Sequence, residues 1–177
     1  MHSQPGALNR FFSGITEFAF QTQLGVADPD LVDYISNMLV RFLHTDTHFQ
    51  VRDVQGRPLT HVADMLTEAE QRVGTAKRDV HRHIGDYTLF WAGLYPEALG
   101  DAEEGNSDYV MHYCQQGKRA YWIASTIDSE GSESKIQPEV LERLSSQFEL
   151  CAYGLKEVRN EWERRDDGSG TAPFLIN

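Results

Sequence analysis

Apolar residues recur at three- and four-residue spacing along most of this chain, the period of amphipathic helices. Leu8, Phe11, Phe12, Ile15, Phe18 and Ala19 form a first stripe, and Gly25 supplies its stop. Asp28-Pro29 restarts the pattern with an acid at the cap and proline at the first helical position. The stripe that follows, Leu31, Val32, Ile35, Met38, Leu39 and Phe42, runs to about His44. Thr60 is placed to cap a third helix holding Val62, Ala63, Leu66 and Ala69. Gly74-Thr75 ends that helix and opens a fourth, with Val80, Ile84, Tyr87, Trp91 and Leu94 along one side. A fifth, capped by Asn106 or Ser107, carries Val110, Tyr113, Cys114, Gly117, Ala120, Tyr121 and Ala124. After Gln137-Pro138, the residues Val140, Leu144, Phe148, Cys151, Leu155, Val158 and Trp162 predict one last helix, the longest, with about 38 Å of rise.

Between residues 45 and 59 the helical period lapses. Phe49 and Val51 alternate with polar neighbours and Val54 to Pro58 reads as a turn, so a short extended piece or small hairpin is expected there. The pattern as a whole predicts an all-α protein: a single helical domain of about six helices over residues 1–165, with that irregular segment inside it. Residues 166–177 have the composition of a flexible tail. The tail ends in Phe174-Leu175-Ile176, an apolar end suited to docking on the parent domain or on a second copy.

The densest apolar stretch is Gly85-Asp86-Tyr87-Thr88-Leu89-Phe90-Trp91-Ala92-Gly93-Leu94-Tyr95-Pro96. Its rings bring large buried area, each worth a few kcal/mol when removed from water. Gly85 either permits close helix approach or ends one helix while Asp86 caps the next. The pairing of Gly85-Asp86-x-x-Leu89-Phe90-x-x-Gly93-x-x-Pro96 with Tyr113-x-x-x-Gly117-x-x-Ala120-Tyr121 resembles a group of all-helical bacterial proteins that carries no assigned activity. The likeness spans roughly residues 56–124; it implies an α-helical fold and a bacterial source, and no reaction.

Charge narrows the partners. Twenty-seven acids against 16 bases leave a net charge of −11, a field that repels phosphate backbones and anionic lipid. Nucleic acid and membrane are therefore not expected partners. The opening residues lack a basic start followed by an apolar stretch, so no secretory signal is expected. With only Cys114 and Cys151, 37 residues apart, there is no disulfide framework and no Cys-x-x-Cys motif; both read as small buried hydrophobes of a cytoplasmic protein.

The commonest catalytic arrangements are missing. No acid is followed three residues later by histidine, as a di-iron bundle requires. Nor is there a Gly-x-Ser-x-Gly elbow, a phosphate-binding Gly-x-x-x-x-Gly-Lys-Ser/Thr loop, or a Gly-x-Gly-x-x-Gly turn. No cofactor is expected and no metal site is assigned. The nearest metal candidate is His44, Asp46 and His48, which point to one side if extended and could hold a divalent ion for a metal-assisted enzyme. His81 and His83 fall on opposite faces of a helix and cannot chelate together.

What remains is the aromatic centre. Asp86, Tyr87, Trp91, Tyr113 and Tyr121 are the candidate ligand- or partner-binding residues, an acid among phenols and an indole between the fourth and fifth helices. The expected function is a non-catalytic interaction or self-associating regulatory module, with a protein partner or a second copy as its target. The alternative is a small-molecule binder with an aromatic-lined pocket between the fourth and fifth helices, lined by Tyr87, Trp91, Tyr113 and Tyr121; the simpler structural account makes the rings core and Asp86 a cap.

Overall fold

A computed structural model describes residues 5–43, 51–99, 106–128 and 136–169 of the chain. Among them are seven α-helices: α1 (Pro5–Glu17), α2 (Pro29–Leu43), α3 (Val62–Gln71), α4 (Gly74–Leu94), α5 (Asn106–Thr126), α6 (Pro138–Ser146) and α7 (Phe148–Ser169). The protein is all-α, as the periodicity predicts. A π-helical turn, Phe18–Gln23, extends α1, and a short 3₁₀ turn, Pro96–Leu99, follows α4. Among the described residues no helix is long and apolar enough to cross a membrane.

Several boundaries follow the sequence signals. The Leu31 amide donates to Asp28 Oδ1 at 3.2 Å, the expected cap of α2, and Gln137 precedes Pro138 at the start of α6. Gly25 closes the π turn with a φ of 69°, a conformation costly for a residue bearing Cβ. The hairpin is present in minimal form: Arg52 and Pro58 make one antiparallel bridge, and Asp53 Oδ1 accepts from the Gln55 and Arg57 amides at 2.9 Å each.

Two expectations are corrected, and the open alternative at Gly85 is decided. Thr60 does not cap α3; His61 occupies that position without a side-chain bond to the helix. Gly85 does not break a helix, since α4 runs through it. The single long terminal helix is two, α6 and α7, interrupted at Gln147, whose φ of −112° and ψ of 26° leave the helical region. Two serines just before the break bond to backbone carbonyls. Ser145 Oγ donates to the Lys118 carbonyl on α5 at 2.7 Å, and Ser146 Oγ to the Arg143 carbonyl at 3.2 Å, which also accepts the Gln147 amide at 2.8 Å.

Two apolar clusters form the interior. The larger joins α1, the π turn, α2, α4, α5, α6 and α7 through residues such as Phe12, Phe20, Met38, Phe42, Phe90, Tyr121, Phe148 and Leu155. The smaller gathers Val51 with Met65 and Ala69 of α3, Val80 and Ile84 of α4 and Ala120 of α5. Small residues let α4 lie close to its neighbours. A Cβ on Gly85 would sit 2.6 Å from the Tyr121 ring of α5, and one on Gly93 2.6 Å from Leu155 of α7. Gly93 thus serves the approach of α7, and Gly85 that of α5. Arg159 fixes that second crossing, donating to the Leu94 carbonyl at 2.6 Å and lying 4.9 Å over the Tyr95 ring.

Candidate functional site

Asp86 lies two-fifths of the way from the C-terminal end of α4 and is 1% exposed. Its placement follows from the helix period: it stands one turn before Phe90 and two after Arg78, on the face that meets α2. Tyr34 of α2 donates its hydroxyl to Asp86 Oδ1 at 2.5 Å, and Tyr121 of α5 donates to the same oxygen at 2.7 Å. Arg41 of α2 donates Nη2 to Oδ2 at 3.0 Å. All three partners are donors, the complement an ionised carboxylate requires. Burial, reinforced by the Asp86 charge, pushes the Tyr34 and Tyr121 phenols well above their ordinary range, so both remain protonated donors. Burial alone would lower the Arg41 guanidinium, but the adjacent Asp86 more than offsets this and holds it above its usual value. The hub therefore ties α2, α4 and α5 together through one acid with every partner aimed at it.

The five residues expected to bind a ligand are divided between two faces. Asp86 and Tyr121 belong to this sealed hub. Tyr87, 100° further round α4, turns toward α3 and donates its hydroxyl to the Thr60 carbonyl at 3.0 Å. It lines a cleft of about 400 Å³ with Tyr113, Leu66, Leu99 and His112. Trp91 is half-buried, packed edge-on to Phe90 at 5.4 Å and near Tyr87 at 6.2 Å, and it does not line that cleft. The structure thus brings together Asp86 with Tyr121, and Tyr87 with Tyr113, but not all five.

Sequence reading missed Tyr34 and Arg41. Both sit on the stripe of α2 that also carries Met38, so a tyrosine and an arginine on a core-facing row were the available signal. It missed Arg78 as well, which is fully buried. His81 and His83 do face opposite ways: His83 stacks on Phe42 of α2 at 5.8 Å, while His81 feels Lys77, Glu70 and Arg119. His44, Asp46, His48 and the apolar end at 174–176 lie outside the described residues. Among the described residues no group of three His, Cys, Asp or Glu side chains could hold a metal ion. Cys151 is buried, and its thiol is pushed up to about 12 by that burial; Cys114, expected to be interior, is half-buried on the rim of an open cleft with Met111, Lys118 and Glu149.

His81 gives this region a pH dependence. It is 2% exposed and neither ring nitrogen has a hydrogen-bond partner. Burial, then Lys77, lowers its pKa below the ordinary 6.5. The folded state thus favours the neutral ring, and stability present above pH 6.5 is lost as pH falls through that value toward the lower folded pKa. Urea midpoints between pH 7.5 and pH 5 are expected to fall for the native chain and to fall less for His81→Leu. Equal slopes would show that His81 is not the titrating group. Comparison with family models, curated proteins and solved structures finds no match for this chain.

Proposed function

We propose that the chain is a non-catalytic, self-associating module whose contact surface is the outer face of α5 and α7. The observation that carries this reading is a group of large apolar side chains left in solvent: Met111 and Trp122 on α5, and Leu150 and Tyr153 on α7. Met111 and Trp122 are eleven residues apart, three helical turns, and so share a face. Lys118, between them, pairs with Glu149 of α7 at 2.8 Å, which places both helices on one surface. A two-fold interface must be self-complementary, and a surface on which Lys118 and Glu149 lie beside Trp122 and Tyr153 suits that requirement. Trp and Tyr are also the side chains that most often dominate binding energy. The hub at Asp86 supports the same reading from the other side, because its donors and acceptor are already matched within one chain.

Light scattering of the full chain across a wide concentration range is expected to show mass rising toward twice that of one chain. Trp122→Glu should keep the protein at single-chain mass where the native protein is dimeric, while Val73→Glu, at a position 83% exposed away from this face, should not. A native chain that stays at single-chain mass throughout, or a Trp122→Glu variant that associates as the native one does, overturns the proposal. A small-molecule reading rests on the cleft at Tyr87 and Tyr113, which offers two rings where an aromatic-lined pocket between α4 and α5 was expected to have four.

A further inference from the structure

Arg78 is the largest fully buried side chain, yet it has no ion-pair partner among the described residues. Its Nη2 donates to the Ile136 carbonyl at 2.8 Å, ahead of α6. The remaining donors, on Nε and Nη1, are shielded from water and make no hydrogen bond. A buried guanidinium with unmatched donors is expensive, and such groups are ordinarily neutralised by an anion. Among the described residues none supplies one at bonding distance. Asp79 and Asp128 reach Arg78 only as more distant charges, and Asp86 is taken by Arg41, Tyr34 and Tyr121.

A second arginine, Arg82, stands one turn further along the same helix. Arg78, Arg82 and Asp86 follow at four-residue spacing along one face of α4, and Arg41 of α2 meets that face at Asp86. Tyr34 packs in the same row, with Arg41 6.0 Å over its ring. Burial, and then the charge of Arg82, pull the Arg78 guanidinium below its ordinary value, the direction expected of a cation waiting for a counter-charge. Arg82 is half-buried and the Arg41 side chain is 29% exposed, so the row touches solvent through these two.

We infer that the arginine row of α4, with Arg78 as its inner anchor, is a binding site for a compact oxyanion, the phosphate or carboxylate head group of a small metabolite. Guanidinium groups suit both head groups because they offer several N–H donors to flat or tetrahedral oxygen clusters. This goes beyond the proposed association surface, which lies on α5 and α7, and does not depend on it.

The test uses the full chain, purified without phosphate, and titrates inorganic phosphate and, separately, succinate by calorimetry at ionic strength matched with sodium chloride. One saturable site for at least one probe is expected, and the tighter probe tells the phosphate source from the carboxylate source. Arg78→Met should weaken that binding at least tenfold, while the exposed Arg57→Gln should leave it unchanged. The anion-free Arg78→Met protein is also expected to melt higher than the anion-free native protein, since an unmatched buried charge has been removed. Arg82→Gln, which keeps Arg78 in place, is expected to weaken the same binding severalfold. No saturable binding of either probe to the native chain overturns the inference. So does binding that Arg78→Met leaves intact, or a lower melting point for Arg78→Met, which would make Arg78 a structural strut to Ile136.

Discussion

Replacing Asp86 with asparagine is expected to lower the unfolding free energy by about 3–5 kcal/mol, the range for breaking a buried ion pair from one side. For a domain of this length that is a fall in melting temperature of roughly 6–20 °C. The shape of the side chain is kept, so the loss is electrostatic. An amide oxygen can accept from one or two of the three donors now on the carboxylate, and its NH₂ group must face a donor. Tyr34 and Tyr121 are buried and cannot turn to water, so at least one phenol is left unmatched. Arg41 is 29% exposed and can relax partly into solvent, which holds the loss toward the lower end of the range. Tyr34→Phe removes a single donor and leaves the carboxylate two others; about 1–2 kcal/mol is expected. Because both changes act on one network, the double variant should lose less than the sum. Urea unfolding followed by far-ultraviolet circular dichroism reads all three. An Asp86→Asn loss below about 1 kcal/mol would mean the hub does not organise α2, α4 and α5.

The contrast between what was readable in the chain and what was not has a physical origin. Apolar stripes and caps are local: Asp28 bonds a residue three positions away, and the helix period repeats within a few turns, so α1 to α5 stand close to where their patterns put them. The hub is not local. Asp86 draws its partners from 52, 45 and 35 residues away, and no spacing rule links an acid on α4 to a tyrosine and an arginine on α2. Asp86 itself was visible as an acid at the edge of an apolar run. Its grouping with Tyr87 and Trp91 fails on helical geometry, since consecutive residues point 100° apart and one side chain enters the core while the next faces α3. The break at Gln147 was hidden for a related reason. The apolar stripe continues across it in register, and the bond that ties this stretch to α5, from Ser145 to Lys118, spans 27 residues.

Glycine-to-alanine substitutions at two helical positions are expected to move stability in opposite directions. In a helix interior the change gains about 1 kcal/mol of propensity when nothing opposes it. Gly14 of α1 is exposed, and a Cβ there meets nothing within 4 Å, so Gly14→Ala should stabilise by roughly that amount. At Gly85 the added carbon would lie 2.6 Å from two atoms of the Tyr121 ring and 2.8 Å from a third. Tyr121 is fully buried, and its hydroxyl is committed to Asp86 at 2.7 Å, so the ring cannot retreat without loosening the hub. Overpacking of this kind costs about 1–3 kcal/mol, and a weakened buried hydrogen bond adds about 1 kcal/mol, together outweighing the propensity gain. Gly85→Ala should therefore destabilise by about 1–3 kcal/mol net. Pairing it with Tyr121→Leu, which removes both the obstructing ring and the hydroxyl, should make the added cost of the alanine vanish. Chemical unfolding of the four variants supplies the measurement. If Gly85→Ala stabilises as Gly14→Ala does, α4 and α5 do not approach through Gly85, and the hub loses the close contact that positions Tyr121 on Asp86.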